Sequence, residues 1–333
     1  MPFRDNAAFS CLALEGSHLH PGGTIQVDGE LQVSDSPPVD LDGAWVTWLG
    51  TIQADKFRES GLVITAQRTI PPLGALLRSP LEQRVHLLHF CLMLQGCAFS
   101  GGGLMVSGNM ENGHLHVGPL GPVEVHPRPG YRRLCQTTAE RVAEAAALLP
   151  GVELIYAGGD AIFRPYRRVR LGFNSWIFGL RSLYTDHRLH WFVRSLEAFL
   201  KLPRRRITSA FIARGQELVG FSSRNEKMLE QLYNLRSCVA HVKEYRRELC
   251  KPRGVRRDHA FAFWSLCAEV LSSEVYKKIL LRPDLRDCFQ DEKKADGFWR
   301  RTPNRRAELI GAPIEAWALA RRAFRQPHPE PWL

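Results

Sequence analysis

The sequence lacks several features that would assign it to a large class of proteins. None of its 333 residues belongs to a run of about 18 apolar side chains, the length that a membrane-spanning helix needs. Its first residues carry one arginine and one aspartate before a short apolar run, with no cleavage site after it, so we expect no signal peptide. The eight cysteines form no Cys-x-x-Cys pair. This usage favours reduced thiols in a cytoplasmic protein over a structural zinc site.

Common catalytic motifs are missing as well. The N-terminal region contains no GxSxG, GxGxxG or HExxH, and the glycines at 101–103 lack the Gly-Lys-Ser/Thr that completes a phosphate-binding loop. Histidine pairs occur at 86 and 89 and at 114 and 116. A metal site needs a third ligand, and none is visible near these pairs. A metal-using enzyme built on the histidines is therefore a minor alternative, and we expect no cofactor.

Positive charge is concentrated in the C-terminal half. From residue 181 onward, 31 Lys and Arg face 18 Asp and Glu, whereas residues 1–180 hold 14 and 16. The excess of +13 favours an anionic partner, with nucleic acid as the first candidate. The alternative is a solvated basic surface without a partner.

The hydrophobic pattern predicts an α+β protein. Residues 1–164 form a mixed, β-rich domain, because short apolar or alternating runs are separated by turn residues. A helix is predicted at Leu81–Leu94, and a second helix that begins at Thr137 is stopped by Pro150 and Gly151. The predicted strands include Ala8–Leu14, Thr24–Val27, Leu31–Val33, Ala44–Leu49, Leu62–Gln67, the hairpin Leu104–Ser107 with His114–Val117, Val123–His126 and Val152–Ala157.

Residues 165–302 are predicted to form an all-α helical bundle, followed by an Arg-rich C-terminal extension at 303–333. Apolar residues recur there at spacings of three and four. Asp186 is predicted to cap the second helix. The predicted helices are Tyr166–Leu183, His187–Leu202, Ile207–Val219, Asn225–Cys250, Asp258–Leu281, Pro283–Gln290 and one that ends at Trp299.

The fourth of these helices carries the residues that point most clearly to chemistry. Arg236 can hold a phosphate through a planar fork of donors, and His241 can move a proton near neutral pH. Together they suggest phosphodiester chemistry that needs no metal. On an ideal helix, residues five apart point about 140° away from each other.

That angle leaves three ways for the pair to act together. The arginine reaches around the helix, the helix distorts at the motif, or two copies meet across a dimer. The alternative is structural: Arg236 bonds Glu197, a carboxylate beside the apolar stripe of the second helix, and His241 lies on the surface. A thiolate–imidazole pair of Cys238 and His241 is a weaker option, because Cys238 fits the core stripe.

Residues 191–248 resemble the HEPN superfamily, whose mark is Arg, a polar residue, a short spacer and His. The wider pattern resembles its ApeA-like branch over about 120 residues, 183–302. The resemblance is carried in order by FVRSLEAFLKL (192–202), TSAFIARGQELVG (208–220), LEQLYNLRSCVAH (229–241) and the closing helix through Phe298 and Trp299.

The resemblance implies a HEPN bundle that dimerises through the motif helix and forms a composite ribonuclease site, often in toxins or antiphage abortive-infection effectors. Arg236 would then bind the scissile phosphate and His241 would act as acid or base. Ser237 takes the polar position, where family members more often have Asn, Asp or His. Glu197 would orient Arg236. Candidate residues for steering the RNA are Arg204, Arg205, Arg206, Lys243, Arg246 and Arg247, each with a plain surface role as the alternative.

The expected function is therefore a cytoplasmic, homodimeric endoribonuclease that cleaves single-stranded RNA. The N-terminal domain would sense or regulate, and an antitoxin is a possible further partner. The alternative is a non-catalytic HEPN module that binds RNA or protein.

Overall fold

The computed structural model describes residues 6–38, 41, 43–69, 78–98, 103–112, 114–123, 136–157, 165–245 and 249–324. The fold is α+β, as the sequence predicts, with an antiparallel sheet first and helices after it. The chain divides into two compact units, one of residues 1–127 and 133–153 and one of residues 128–132 and 154–333. The boundary predicted after residue 164 lies within the second unit.

The first unit is built on a six-stranded sheet with the order β3-β4-β5-β1-β6-β7, and β1 runs antiparallel to both β5 and β6. A separate pair, β2 and β8, is parallel. The strands are β1 (Ala7–Leu14), β2 (Leu19–His20), β3 (Thr24–Gln26), β4 (Leu31–Ser34), β5 (Val63–Thr69), β6 (Gly103–Glu111), β7 (His114–Pro122) and β8 (Thr137–Thr138). The helices are α1 (Gly43–Leu49), α2 (Thr51–Arg58), α3 (Arg78–Leu94) and α4 (Ala139–Tyr156), of which the last three residues are counted in the second unit.

The central strand β1 is buried along its whole length because both faces of the sheet are covered. Side chains alternate between the faces of a strand. Phe9 and Cys11 on one face pack with Trp45 and Phe57 of α1 and α2. The other face of β1 contacts α3.

Two strand predictions in this region are wrong. Ala44–Leu49 lies in α1, where Trp45 and Leu49, four residues apart, both face the core. Val152–Ala157 lies largely in α4, which continues past Pro150 because buried residues keep helical spacing beyond it, among them Val152 and Ile155. Packing of this face outweighs the single hydrogen bond that proline removes. Of the strand predicted at 123–126, residues 124–126 lie outside the described ranges, and Val123 follows β7 without belonging to it.

An ion-pair network links α3 to the turn after β3. Arg84 contacts Asp28 at 2.6 Å, Glu30 at 2.9 Å and Glu153 at 2.8 Å, and Arg68 also contacts Glu30. Burial raises the pKa of Asp28, but the hydrogen bonds from Glu30 and Arg84 outweigh it and the pKa is lowered. The pKa of Glu30 is lowered chiefly by Arg68, with burial opposing and Arg84 adding to the effect. The network therefore favours ionised carboxylates in the folded state.

The second unit is helical. Its helices are α5 (Arg167–Arg181), α6 (Thr185–Leu200), α7 (Ile207–Val219), α8 (Ser223–Ala240), α9 (Ala260–Leu281), α10 (Pro283–Asp287), α11 (Glu292–Arg300), α12 (Pro303–Ile310) and α13 (Ala316–Ala323), with a 3₁₀ turn at Arg257–His259. Its most buried element, α9, pairs Glu269 with Arg188 of α6 at 3.4 Å. Tyr184 rather than Asp186 is the N-cap of α6, and Asp186 lies in its first turn.

The predicted C-terminal extension contributes α12 and α13. Trp317 of α13 makes edge contacts with Phe263 and Trp264 of α9, at 5.1 and 5.5 Å between ring centroids. α12 contacts α7. Residues 303–324 therefore pack against the bundle, and residues 325–333 lie outside the described part of the chain.

Helices α5 and α6 are antiparallel neighbours that approach closely at two glycines. A Cβ at Gly172 would lie 2.5 Å from the Cβ of Ala198, and a Cβ at Gly179 would lie 2.5 Å from the ring of Phe192. Only residues without a side chain allow this spacing. These two close approaches fix the register in which α5 packs against α6.

Helix α8 begins at a capping serine and ends earlier than the sequence predicts. Ser222 accepts a hydrogen bond from the backbone N–H of Asn225. The helix ends at Ala240, so the prediction of one helix through Cys250 is wrong. Residues 240–244 are all exposed, which means that no packed apolar face extends the helix there.

The end of α8 has the hydrogen bonds of a Schellman motif. Val242 N–H donates to the carbonyl of Val239 at 3.2 Å, and Lys243 N–H donates to that of Cys238 at 2.8 Å. The residue in the left-handed position is Val242, with φ of 52°. A β-branched residue there is strained, because glycine is the residue that adopts this conformation without cost.

Within the described ranges, no helix combines the length and the hydropathy that crossing a bilayer would require.

Candidate functional site

Arg236 of α8 is held by a carboxylate from α6. Its Nη2 atom lies 3.0 Å from Oε2 of Glu197, and the two side chains are 15% and 10% exposed. Arg194, one turn before Glu197, reaches the same oxygen at 2.9 Å but is 57% exposed. One carboxylate thus joins a nearly buried arginine to one at the surface. The part that Glu197 would play in catalysis stays a prediction.

Two further side chains surround Arg236. The guanidinium carbon lies 6.0 Å from the ring centroid of Tyr233, one turn earlier on α8. Burial raises the pKa of Tyr233, and Glu197 adds to the rise while Arg236 opposes it. The ring of His190 on α6 donates a hydrogen bond to the backbone of Arg236. Arg236 is therefore contacted through both its side chain and its main chain.

His190 is in a positively charged environment. Burial lowers the pKa of its ring, the charges of Arg236, Arg194 and His187 lower it further, and the hydrogen bond to the Arg236 backbone partly opposes them. The neutral imidazole is consequently favoured near neutral pH. An anion bound near the arginines would reduce this repulsion.

The guanidinium of Arg236 opens into a cavity of about 430 Å³ between helices of the second unit. Four arginines and two glutamates line it, with the arginines at 167, 168, 194 and 236 and the glutamates at 197 and 292. Arg168 is paired with Glu292 at 3.0 Å. The Nε atom of Arg236 is buried and has no hydrogen-bond partner in the described part of the chain. The lining of the cavity thus carries excess positive charge.

His241 and Ser237, the other two residues of the predicted motif, do not line this cavity. His241 is the C-cap of α8 and is exposed, and its backbone N–H donates to the carbonyl of Ser237 at 3.1 Å. Ser237 is half-buried. Within one copy, the structure therefore separates the arginine from the histidine.

The predicted RNA-steering residues have different positions. Arg204, Arg205 and Arg206 are exposed and lie between Pro203 and Ile207, two residues that line the cavity. The three arginines are thus next to the cavity along the chain. Lys243 is exposed just after the end of α8. Arg246 and Arg247 lie outside the described residues.

Sequence reasoning missed several residues of this site. Arg194 precedes Glu197 by three residues and Tyr233 precedes Arg236 by three, so helical spacing alone could have linked each pair. The lining residues Arg167 and Arg168 carry no such signal. Whether the side chains of Arg167 and Arg168 face the cavity depends on how α5 packs against α6.

Metal ligands do not cluster in the parts of the chain that the structure describes, where no group of three or more His, Cys, Asp or Glu side chains could hold an ion. Of the histidine pairs, His89 is fully buried with Nε2 3.1 Å from the Ala98 carbonyl oxygen, while His114 and His116 are exposed on β7.

The side chains that line the cavity are suited to binding an anion. Arginine donors in a partly enclosed site recognise phosphate or carboxylate oxygens, and the Glu197 pair fixes the orientation of one guanidinium. The volume suits a phosphate with part of the molecule attached to it, since small-ligand sites begin at about 300 Å³.

No protein-family model, curated protein or solved structure matches this chain.

Proposed function

We propose that the protein is a metal-independent endoribonuclease that cleaves single-stranded RNA, with Arg236 as the ligand of the scissile phosphate. The observation that carries this proposal is the fixed Arg236–Glu197 pair at a basic cavity, with an exposed histidine at the end of the same helix. A guanidinium held by a carboxylate keeps donors free for a phosphate. The basic C-terminal half supplies attraction for a polyanion.

The reaction would use the nucleophile of RNA itself. A base removes the proton of the 2′-OH, and the 2′ oxygen attacks the adjacent phosphorus. The bond from phosphorus to the 5′ oxygen breaks, and an acid protonates that oxygen. The products are a 2′,3′-cyclic phosphate and a 5′-OH. Arg236 would stabilise the charge on the phosphoryl oxygens, and His241 would serve as acid or base. DNA lacks the 2′-OH and is not a substrate.

Two copies of the chain would complete the site. Five residues along α8 correspond to a rise of about 7.5 Å and a rotation of about 140°. Arg236 is largely buried, while His241 is exposed at the helix end. A homodimer that pairs the α8 ends would bring the histidine of one copy to the cavity of the other, with Ser237 as a polar residue of the interface.

The biological role that we propose is that of a toxin or antiphage effector in the cytoplasm. The first unit would be the sensor or regulatory part, or the surface to which an antitoxin binds. Genes neighbouring its own would test this role, because an adjacent antitoxin or phage-defence gene is expected.

The central experiment uses purified full-length protein and a labelled single-stranded RNA in excess EDTA. We expect cleavage that leaves cyclic phosphate ends, and none when the nucleotide at the cleavage site is 2′-deoxy. Arg236→Ala and His241→Ala should each abolish cleavage, whereas Arg321→Ala on α13 is a control that should not. Cleavage that chelator abolishes, or that both site variants retain, would contradict the proposal.

A mixing experiment tests the two-copy site. Random exchange of Arg236→Ala and His241→Ala copies makes half of the dimers mixed, and each mixed dimer has one intact site, so about a quarter of the parental activity should return. A mixture as inactive as its components would mean that each copy uses its own histidine.

The second candidate is a non-catalytic module that binds RNA. The observation that favours it is that none of the described residues lining the cavity is a histidine. RNA binding that depends on Arg236 but leaves the RNA intact would support this candidate over the nuclease.

A further inference from the structure

A partly exposed pair of aromatic rings connects α5 and α6. Phe178 is 50% exposed although it belongs to a helix with a well-packed face. Its ring lies 5.3 Å from that of Trp191 on α6, tilted by 44°. Trp191 is half-buried and contacts His190 edge-on at 5.3 Å. Two aromatic rings in contact, one of them half-exposed, present a flat apolar face to solvent.

This aromatic pair adjoins the basic cavity. Ser175 of α5 and Arg194 of α6 both line the cavity. Phe178 follows Ser175 by three residues, and Trp191 precedes Arg194 by three. Because α5 and α6 are antiparallel neighbours, both rings therefore lie one helical turn beyond the cavity in the same direction. Three residues of helix correspond to a rise of about 4.5 Å. This is within the reach of one nucleotide.

We propose that Phe178 and Trp191 form a stacking platform for an unpaired base of RNA, next to the phosphate bound by the arginines of the cavity. The inference rests on the proposed function and specifies the substrate further. An aromatic face accepts any of the four bases, so the platform selects for single-stranded RNA without selecting its sequence. In a duplex the bases are already stacked and paired, and the platform is not filled.

Charge favours RNA over a second copy of the chain as the occupant. Arg194 and Arg181, one turn to either side of the aromatic pair, are exposed. In a symmetric dimer the same patch meets itself, which would bring these arginines towards their own copies. A phosphodiester chain carries negative charge on both sides of each base and complements this arrangement.

The test is the affinity of the full chain for a fluorescent single-stranded 2′-fluoro RNA, which cannot be cleaved by 2′-OH attack. Phe178→Ala should weaken binding about tenfold, the effect of losing one stacked base. Phe178→Tyr should bind like the parent. The matched control is Phe221→Ala, because Phe221 is 73% exposed in the same unit and does not line the cavity.

An oligonucleotide that is abasic at every position separates stacking from general damage. Parent and Phe178→Ala should bind this oligonucleotide equally, whereas the tenfold difference should persist for the oligonucleotide that carries its bases. Equal affinity of Phe178→Ala and Phe221→Ala for every oligonucleotide would overturn the platform.

The outcomes also separate this inference from the function on which it rests. If Arg236→Ala weakens binding and Phe178→Ala does not, the platform is wrong and the phosphate site stands. If the parent protein does not bind the RNA, both are wrong. If Phe178→Ala instead dissociates a dimer seen by light scattering, with unchanged RNA affinity per chain, the patch is a self-interface and the platform is overturned.

Discussion

Glu197 accepts hydrogen bonds from two arginines of very different exposure, and this difference predicts two unequal ion-pair energies. Arg236 is 15% exposed and Arg194 is 57% exposed, yet both reach Oε2 at about the same distance, 3.0 and 2.9 Å. Distance alone would make the pairs equal. Solvent screening makes them differ, because water weakens the attraction at the surface far more than in the interior.

The expected magnitudes follow from burial. Breaking a fully buried pair costs about 3 to 5 kcal/mol. The Arg236 pair borders a cavity, so we expect a coupling energy of about 2 kcal/mol. The Arg194 pair should contribute about 0.5 kcal/mol, as exposed pairs within one helix do. Glu197→Gln removes both and leaves two arginines close together, so it should be the most destabilising of the single changes.

Two double-mutant cycles in urea measure these energies. One combines Glu197→Gln with Arg236→Gln, and the other combines Glu197→Gln with Arg194→Gln. Tryptophan fluorescence reports mainly on the second unit, which holds five of the seven described tryptophans. Circular dichroism should follow the first unit separately, since two-unit proteins need not unfold in one step.

A coupling of Glu197 to Arg194 as large as its coupling to Arg236 would mean that burial does not determine the strength of these ion pairs. As a check on screening, only the Arg194 coupling should fall markedly in 1 M salt.

Three further predictions concern other parts of the molecule. The pKa of His190 is lowered by burial and by nearby positive charge, so inorganic phosphate that fills the cavity should raise its titration midpoint in NMR, and an unchanged midpoint would place the anion elsewhere. Arg84→Met should destabilise the first unit by about 2 kcal/mol at neutral pH. The pKa values of Asp28 and Glu30 are lowered on folding. The stabilisation that these carboxylates contribute is therefore present above their unfolded-state pKa values, near about pH 4, and is lost as the pH falls through their folded-state pKa values. The urea midpoints of parent and variant should converge at that low pH, and a gap that stays constant with pH would contradict the network. Val242→Gly should stabilise the second unit by about 0.5 to 1 kcal/mol by relieving a positive φ, whereas a loss of stability would contradict the backbone strain inferred at this position.

Periodic patterns in the sequence predicted the helical part well. The predicted bounds of α7, Ile207–Val219, are those of the structure, because its apolar positions recur regularly between turn residues. Ala44–Leu49 was wrong for a physical reason: in a run of six residues, strand and helix spacings cannot be distinguished. The adjacent sheet favours the helix, because it offers a surface on which both Trp45 and Leu49 can pack.

The end of α8 could not be predicted from local rules. A helix that ends in a left-handed residue usually has glycine there, and this chain has Val242. Without that signal, the polar residues that follow look like an exposed helix face. Residues 240–244 are exposed, so no packed face prolongs the helix, and a sequence pattern does not record this.

The candidate site was accessible from sequence only in part. Arg236 and Glu197 are 39 residues apart in the chain, and their contact depends on how α8 packs against α6. The angular offset between Arg236 and His241 was correctly a reason to doubt a simple pair on one face. The cavity itself needs α5 as a third wall, and the sequence of that helix gives no sign that it borders a charged site.

The close approach of α5 and α6 at Gly172 has an evolutionary consequence. A methyl group at this position would clash with the hydroxyl oxygen of Tyr276 on α9 and lie 2.5 Å from the Cβ of Ala198, so α5 would have to move away from these helices. Ser175 and Arg194, on the opposite walls of the cavity, would then move apart without any change in charge. Related chains could therefore alter the size of the anion that they accept through one small residue, while every arginine is inherited unchanged.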